Sequence, residues 1–355
     1  MKAVILAGGF GTRLRPLTLE QPKPIVPIFD RPFLYHQVDL LRKVPEINEV
    51  ILSLNYRPDR IESLVGGGAG AGLPVRYRVE PEPLGTGGAI KFASEGITDT
   101  LLVFNGDVLT GIDLASVVRR HKERKAVATI VLTPVENPAA YGLVETDPAG
   151  NVRRFLEKPS KDEITCNTIN AGIYVLEPAL FDRIPPHRPW SVERQYFPSL
   201  VERGETFLGY VDDGYWLDIG TPESYVQAHR DLMAQRCPAG PFLGLPADAV
   251  VQGAGVQLGE DVTFEGPCFL GEDVVVSAGA RIGRGTVIGA RCHIGPRAVI
   301  ENAILWQGSQ VGDDAELRQS VVAERCRIGP HASVSHALLG RDTTITAYSR
   351  HLGVS

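Results

Sequence analysis

The pattern of hydrophobic positions changes once along this sequence. In residues 1–235 it alternates between short apolar runs and stretches with helical spacing. Short apolar runs there have the length of buried strands, namely Lys2–Ala7, Glu49–Leu54, Val75–Val79, Thr100–Phe104 and Val127–Leu132. Stretches with helical spacing separate them: PFLYHQVDLLRKV opens with Pro32, a residue type favoured in a helix's first turn, and ASVVRRHKERK follows Leu114. Strands that alternate with helices predict an α/β layered domain with a mostly parallel sheet.

The second period is six residues long. Aliphatic or aromatic side chains recur at every sixth position from Leu258 to Ile300, and a mostly small residue stands four places after each. From Ile300 the steps become five, six and six, a 17-residue repeat that continues to Ile345. A fixed repeat of this kind predicts a solenoid, in which each coil buries its apolar face against its neighbours. We expect the small inward positions to include three cysteines: Cys268, Cys292 and Cys326.

The six-residue period resembles the hexapeptide repeat of left-handed β-helices, in which three hexapeptides form one triangular turn. The left hand is implied by this resemblance alone. A stretch rich in proline and glycine, CPAGPFLGLPAD from Cys237, separates the two periods and is typical of a linker. We therefore predict a first domain over residues 1–236, a linker over residues 237–250 and a left-handed parallel β-helix over residues 251–355.

Composition restricts the partners and the location of the protein. The 355 residues carry a formal net charge of −6, with both signs well mixed, which argues against a nucleic-acid partner. No run approaches the roughly 18 apolar residues of a membrane span, and the N-terminus lacks the pattern of a secretory signal. The five cysteines form no CxxC pair, a pattern typical of reduced thiols. We expect a cytoplasmic protein that binds neither nucleic acid nor a membrane.

The most informative motif is LAGGFGTRLRPLTLEQPKPIVPI, which follows the first apolar run directly. Glycines let backbone N–H groups approach an anion closely, and Arg13, Arg15 and Lys23 add positive charge beside them. The motif is neither a P-loop nor a GxGxxG loop, because the spacing of its glycines and lysine fits neither. We interpret it as a loop that binds phosphates.

This loop resembles the opening GGxGTRLxPLT and PKP motifs of the nucleotidyltransferases that join a sugar 1-phosphate to a nucleoside triphosphate. Further segments match the family in its order along the first 235 residues: EPLGTGGA (82–89), FNGDV (104–108), YGLVETD (141–147), FLEKP (155–159), NAGIYVLEP (170–178) and WLDIGTP (216–222). The resemblance implies a Rossmann-like layered nucleotidyltransferase domain with a mostly parallel mixed sheet, and a β-helix is a common companion domain in the family.

The resemblance also implies roles for individual residues. The nucleotide would be bound by the following residues: Leu6, Ala7, Gly8, Gly9, Gly11, Thr12, Arg13, Glu82 and Gly85. The sugar phosphate would be bound by Gly142, Glu157, Lys158 and Asn170. Mg²⁺ would be held by Asp107 and Asp218, since this ion prefers one or two carboxylates together with phosphate oxygens and water. These two aspartates, with Arg13 and Lys23, are the residues we expect to carry catalysis.

The choice of base and sugar is the least constrained part of the prediction. Guanine presents N1–H and N2–H₂ as adjacent donors, which one carboxylate can accept together. The segment RVEPEPLGTGGA contains Glu80 and Glu82 but no amide side chain, and it looks most like the guanylyltransferases that make GDP-mannose. We expect GTP and mannose 1-phosphate as substrates, with Glu82 reading the base; the alternative is UTP or dTTP with glucose 1-phosphate.

Two other functions compete with nucleotidyl transfer. A β-helix acyltransferase needs a catalytic histidine, and nothing in the sequence marks His293, His331 or His336 for that role. A catalytically silent regulatory subunit would not need the intact loop and both aspartates. We expect the repeat domain to be structural or regulatory, so that a chain ending near Cys237 keeps some activity, and we expect a homo-oligomer.

Overall fold

The computed structural model describes residues 1–353, and their contacts group them into two compact units. The first unit contains Met1–Phe10 and Leu34–Asp218, and the second contains Gly11–Phe33 together with residues 219–353. The chain therefore leaves the first unit after Phe10 and returns at Leu34. The two units are defined by contacts between residues and not by position along the chain. The domain boundaries expected at residues 236 and 251 therefore stay a prediction.

The elements before the linker follow the predicted alternation. The strands are β1 Lys2–Leu6, β2 Pro27–Ile28, β3 Arg31–Pro32, β4 Val50–Leu54, β5 Val75–Val79, β6 Leu101–Asn105, β7 Val108–Thr110, β8 Ala128–Pro134, β9 Gly142–Thr146, β10 Val152–Glu157, β11 Thr168–Leu176, β12 Phe207–Val211 and β13 Trp216–Asp218. The α-helices are α1 Phe33–Leu41, α2 Pro58–Val65, α3 Gly85–Ala93, α4 Leu114–Glu123, α5 Phe197–Glu202 and α6 Pro222–Met233. Short 3₁₀ turns occur at Thr12–Leu14, Lys23–Ile25, Ala69–Ala71, Pro138–Ala140, Lys161–Glu163 and Pro178–Arg183, and a π-helical turn at Val192–Tyr196.

The first unit is built on one mixed sheet, as predicted. Its order is β10-β9-β11-β6-β1-β4-β5, with β8 paired to β11 and β12. Strands β6, β1, β4 and β5 are mutually parallel, and β11 runs antiparallel to β6 and β8. Each of the five predicted apolar runs is one of these strands. Four of them are mostly buried, as expected of strands covered on both faces, whereas β5 at the edge of the sheet is half-buried or exposed throughout. The predicted helix at Pro32 begins one residue later, because Pro32 lies in the short hairpin of β2 and β3.

The repeat region forms three parallel sheets of six strands each. Its strands are β14 Val250–Gln252, β15 Gln257–Leu258, β16 Thr263–Phe264, β17 Cys268–Leu270, β18 Val275–Val276, β19 Arg281–Ile282, β20 Thr286–Ile288, β21 His293–Ile294, β22 Val299–Glu301, β23 Ile304–Leu305, β24 Gln310–Val311, β25 Glu316–Arg318, β26 Val321–Val322, β27 Arg327–Ile328, β28 Ser333–Ser335, β29 Leu338–Leu339, β30 Thr344–Ile345 and β31 Arg350–Leu352. Each strand pairs with the strand three positions later along the chain. This pairing gives the sheets β14-β17-β20-β23-β26-β29, β15-β18-β21-β24-β27-β30 and β16-β19-β22-β25-β28-β31. This is a parallel β-helix with three strands to a turn.

The register of the β-helix confirms the change of period. Cys268 pairs with Thr286, 18 residues later, whereas Ile304 pairs with Val321, 17 residues later. The inward residues of successive coils form one continuous apolar core, which includes the fully buried Cys268, Cys292 and Cys326. Burial raises the pKa of the Cys292 thiol to about 12. The expectation that these cysteines fill the core is therefore confirmed. Within residues 1–353, no helix is both long enough and apolar enough to cross a membrane.

Candidate active site

Asp107 and Asp218 occupy neighbouring positions in the first unit. Strand β6 ends at Asn105, the chain turns through Gly106, and Asp107 immediately precedes β7. Strand β13 pairs antiparallel with β7, and its last residue, Asp218, stands opposite Val108. Directly opposed residues in such a pair have Cα atoms about 4.5–5.5 Å apart. Asp107 precedes Val108, the residue opposite Asp218, so the two aspartates are close neighbours in the structure. The structure therefore brings together two half-buried carboxylates that lie far apart in the sequence.

The turn before Asp107 is fixed against the end of β1. The Gly106 N–H donates to the Leu6 carbonyl at 3.0 Å. A Cβ atom at Gly106 would lie 2.4 Å from that same oxygen, which is closer than real Cβ atoms come. On the other side, the Ala7 N–H donates to the Ser53 carbonyl at 2.9 Å. The carboxyl ends of β1 and β6 are thus held together, at the edge of the parallel strands where open α/β sheets bind ligands.

The first two glycines of the phosphate loop differ in their surroundings. A Cβ atom at Gly8 would lie 3.2 Å from the Asn55 Cβ and 3.3 Å from a carboxylate oxygen of Glu80. A Cβ atom at Gly9 would meet nothing within 4 Å. A side chain at Gly8 would therefore crowd Asn55 and Glu80, whereas Gly9 leaves open space beside the backbone, as a loop that admits a phosphate group should.

The two glutamates of the predicted base-reading segment have different environments. Glu80 is buried, and its carboxylate accepts hydrogen bonds from the Ser53 hydroxyl and the Leu84 N–H, each at 3.0 Å. Burial raises the pKa of Glu80 above its ordinary value, and these two hydrogen bonds oppose the shift. Glu82, the residue favoured from the sequence, is exposed. Glu80 is therefore the glutamate that the fold holds against the glycine loop.

A segment that the sequence did not single out holds the predicted base-reading loop. Gly85 has a left-handed φ of 67°, and a Cβ atom there would lie 2.9 Å from the Trp190 carbonyl oxygen. The Trp190 N–H donates to the Leu84 carbonyl at 2.8 Å, and its carbonyl accepts from Gly87 N–H at 2.8 Å. The Thr86 hydroxyl donates to the Glu193 carboxylate at 2.6 Å. These contacts fix the start of α3, and no local pattern around residues 190–193 indicates them.

The predicted sugar-phosphate residues lie on β9, β10 and β11 or directly after them. Gly142 pairs with Glu157, and a Cβ atom at Gly142 would lie 2.9 Å from a Glu157 carboxylate oxygen. Burial raises the pKa of Glu157, and the negative charge of Glu193 adds to the shift. Lys158 is exposed, with a left-handed φ of 54°, and its N–H donates to the Tyr141 carbonyl at 3.0 Å. The structure thus places these predicted residues side by side on neighbouring strands.

Asn170 lies where β11 departs from regular pairing with β8. Its side-chain oxygen accepts from the Gly172 N–H, and its amide donates to the Tyr174 hydroxyl, both at 2.9 Å. The adjoining Ala171 carbonyl accepts from the Trp216 indole N–H at 2.9 Å, which links this strand to β13. The side chain of Asn170 therefore shapes the backbone of the NAG motif, and contact with a sugar hydroxyl stays a prediction.

The remaining predicted site residues belong to the second unit. Gly11 has a left-handed φ of 60°, and its carbonyl accepts from the Thr18 hydroxyl at 2.7 Å. Thr12 and Arg13 lie in an exposed 3₁₀ turn, whereas Lys23 begins another such turn and is only 8% exposed. The two cations of the motif thus differ in burial: Arg13 is exposed, and Lys23 is buried.

Comparisons with known proteins agree with this arrangement. Residues 2–235 match the nucleotidyl transferase family, and residues 248–349 match the EIF2B subunit epsilon LbH domain, in agreement with the left-handed β-helix. Mannose-1-phosphate guanylyltransferase from Mycobacterium tuberculosis (strain ATCC 25618 / H37Rv) is 44% identical over 260 residues, 72% of each chain. Probable mannose-1-phosphate guanylyltransferase 1 from Oryza sativa subsp. japonica is 37% identical over 284 residues, 76% of this chain and 77% of the relative.

A solved structure extends the likeness to three dimensions. HddC from Yersinia pseudotuberculosis complexed with GMP-PN is 32% identical and has a TM-score of 0.55. The match covers 65% of this chain and 99% of HddC. Because the family match alone spans well over half of the sequence, the chain belongs to the nucleotidyl transferase family.

Proposed function

We propose that the protein transfers a guanylyl group from GTP to mannose 1-phosphate, producing GDP-mannose and pyrophosphate. The observation that carries this proposal is the likeness to the mannose-1-phosphate guanylyltransferases, at 44% and 37% identity over about three quarters of the chain. It agrees with a base-reading segment that offers carboxylates and no side-chain amide. The structure of HddC with GMP-PN is consistent with a guanine nucleotide.

The reaction needs alignment and charge neutralisation more than a protein nucleophile. A phosphate oxygen of the sugar phosphate attacks the α-phosphorus of GTP in line, and the bond between that phosphorus and the bridging oxygen to the β-phosphate breaks. Pyrophosphate leaves with the electron pair of the broken bond. We assign Lys158 to the sugar phosphate, because an exposed ammonium can reduce its repulsion with the α-phosphate, and Glu157 to the sugar hydroxyls.

The pair Asp107 and Asp218 fits a divalent cation. Within residues 1–353 no group of three or more metal-binding side chains occurs, but Mg²⁺ characteristically takes one or two carboxylates and completes its shell with phosphate oxygens and water. The two aspartates at the paired β7 and β13 strands are such a donor set. When bound, Mg²⁺ would neutralise phosphate charge and polarise the phosphoryl oxygens. Arg13 and Lys23 would add positive charge toward the triphosphate, a role that stays the prediction made from the motif.

Guanine recognition by Glu82 stays a prediction, and the structure adds Glu80 as its competitor. A carboxylate has about four acceptor sites, so Glu80 can accept further hydrogen bonds beyond those from Ser53 and Leu84. Replacing each glutamate by glutamine separates the two. The base reader is the residue whose replacement lowers kcat/KM for GTP while leaving the KM for mannose 1-phosphate unchanged.

One panel of assays tests the proposed substrates. Four nucleoside triphosphates are combined with mannose, glucose and N-acetylglucosamine 1-phosphates, and pyrophosphate release is scored as kcat/KM. We expect GTP with mannose 1-phosphate to be preferred. A preference for UTP or dTTP would remove the guanine assignment and leave the reaction class intact, whereas no turnover with any pair would favour a regulatory subunit. A homo-oligomer in the cytoplasm remains the expectation from the sequence.

A further inference from the structure

One face of the β-helix differs chemically from the other two. We call the sheet β14-β17-β20-β23-β26-β29 the apolar face. Its inward residues belong to the β-helix core, and the residues between them point outward because side chains alternate along a strand. All six outward residues are apolar: Val251 and Leu338 on the end strands are half-buried, and the four on the inner strands are at most 9% exposed, namely Phe269, Val287, Ile304 and Val321. On the β15-β18-β21-β24-β27-β30 sheet, the corresponding residues are mostly polar, namely Gln257, Val275, His293, Gln310, Arg327 and Thr344.

The segment Gly11–Phe33, which we call the basic segment, packs on this apolar face at its second and third coils. The Phe29 and Phe269 rings lie 5.0 Å apart between centroids. Asp30 is an exposed residue, yet its carboxylate accepts a hydrogen bond from the Ala290 N–H at 2.8 Å. A Cβ atom at Gly271 would lie 1.6 Å from the other carboxylate oxygen of Asp30. The glycine at position 271 therefore leaves the space that the Asp30 side chain occupies.

Later coils hold the basic segment at two more points. The Trp306 indole N–H donates to the Tyr225 hydroxyl at 2.9 Å, and that hydroxyl donates to the Pro27 carbonyl at 2.5 Å. Trp306 and Tyr225 are both almost fully buried, so this relay is shielded from water. At the last complete coil, Arg341 forms an ion pair with Glu20 at 3.1 Å. The contacts are thus spread along the basic segment from Glu20 to Asp30.

We propose that the apolar face of the β-helix is a positioning element for catalysis, because it holds the segment that carries Arg13 and Lys23. This inference rests on the nucleotidyl transfer proposed above, since those two cations are assigned to the triphosphate. Transition-state stabilisation depends on groups that are already in place, and a misplacement of about 1 Å can reduce a rate on the order of 10²-fold. The face acts through the loop, and none of its residues needs to contact a substrate.

The test uses two glycines from the same step of the repeat. In both Gly271→Ala and Gly295→Ala the new Cβ atom would lie 2.7 Å from a backbone nitrogen of the next coil, that of Ala290 or Asp313. Only Gly271→Ala also places the methyl group where the Asp30 carboxylate lies, so Gly295→Ala is the matched control. The repeat carries Glu265, Ser277 and Glu301 at this step, so a side chain there is compatible with the fold. We measure kcat, the KM for GTP and for mannose 1-phosphate, and amide hydrogen exchange of residues 11–33, with Asp30→Ala as a second variant.

We expect Gly271→Ala and Asp30→Ala to raise the KM for GTP or lower kcat by about 10-fold or more, and to speed exchange in residues 11–33. Gly295→Ala should stay within about 2-fold of the wild type in every measurement. Purely structural damage would lower the fraction of active molecules, and therefore kcat, without changing either KM or the hydrogen exchange of the correctly folded molecules. That result would overturn the inference. Wild-type behaviour of both Gly271→Ala and Asp30→Ala would overturn it as well. If the wild-type protein releases no pyrophosphate, the proposed function fails, but the exchange comparison still tests whether the face holds the loop.

Discussion

Gly106 offers a direct test of how the first unit positions Asp107. The residue connects β6 to Asp107, and its N–H donates to the Leu6 carbonyl at 3.0 Å. A Cβ atom added there would lie 2.4 Å from the Leu6 oxygen and 3.2 Å from its carbonyl carbon. These are backbone atoms of a strand that is paired on both sides, so they cannot rotate away as the end of a flexible side chain can.

The size of the effect follows from this distance. Ordinary van der Waals contact begins at 3.4 Å, so Gly106→Ala requires the turn and the end of β1 to separate by about 1 Å. Forcing extra atoms into a packed site usually costs about 1–3 kcal/mol of stability. A 1 Å shift of a group that aligns the reaction can cost on the order of 10²-fold in rate. We therefore expect a moderate loss of stability together with a loss of kcat of roughly 10²-fold.

The assay compares Gly106→Ala with Gly67→Ala, a control in an exposed turn where a Cβ atom meets nothing within 4 Å. Pyrophosphate release at saturating substrates gives kcat, and thermal unfolding gives the change in stability. The control should match the wild type in both. If Gly106→Ala kept the wild-type kcat and melting temperature, the close approach of β1 and β6 would not determine the position of Asp107, and the reasoning would be refuted.

Three further predictions concern the same unit. Asp107→Asn and Asp218→Asn should each lower kcat by about 10²-fold or more with the circular dichroism spectrum unchanged; full activity of both variants at ordinary Mg²⁺ would remove the metal assignment. Because burial raises the pKa of Glu80, the folded state keeps a proton that the unfolded state has lost, so this residue lowers stability as pH rises from its ordinary pKa through the raised one. The free energy of unfolding, measured with urea at several pH values, should therefore fall less steeply with rising pH for Glu80→Gln than for the wild type over that window. Equal slopes would contradict the raised pKa of Glu80. Thr86→Val removes the hydrogen bond to Glu193 and should raise the KM for GTP more than the KM for mannose 1-phosphate; an equal change in both would show that Thr86 does not act through the base-reading loop.

The β-helix could be predicted from the sequence because its core repeats locally. Each inward residue contacts the equivalent residue of the next coil, 17 or 18 positions away, so the period in the sequence is the spacing of the structure. The central strands of the first unit could be predicted for a similar reason, because their apolar runs are nearly uniform where both faces are covered. In both cases the physical cause of the pattern lies within one element or between neighbouring coils.

Other features could not be predicted because they depend on residues that are distant in the chain. The hydrogen bond from Ala290 to Asp30 joins residues 260 positions apart, and the hydroxyl of Thr86 meets Glu193 across 107 positions. The burial of Glu80 rather than Glu82 follows from contacts with Ser53, which belongs to another strand. Motif spacing carries no information about such contacts, and the function assigned to Glu82 from its motif therefore remains untested.

The sequence itself contains one signal of a covered face on the β-helix. The residue before each inward position is apolar at every coil of one sheet, namely Val251, Phe269, Val287, Ile304, Val321 and Leu338, whereas on the other two sheets it is polar at every coil except Val275 and Val299. On a solvent-facing sheet the outward positions are expected to be mostly polar, so an apolar side chain repeated at the outward position of every coil indicates a covered face. Neighbouring parallel strands lie about 4.8 Å apart, and hydrogen bonding between coils keeps that spacing constant. A segment held at several coils of such a face cannot slide along it without breaking several contacts together, and this rigidity is what the role proposed for Arg13 and Lys23 requires.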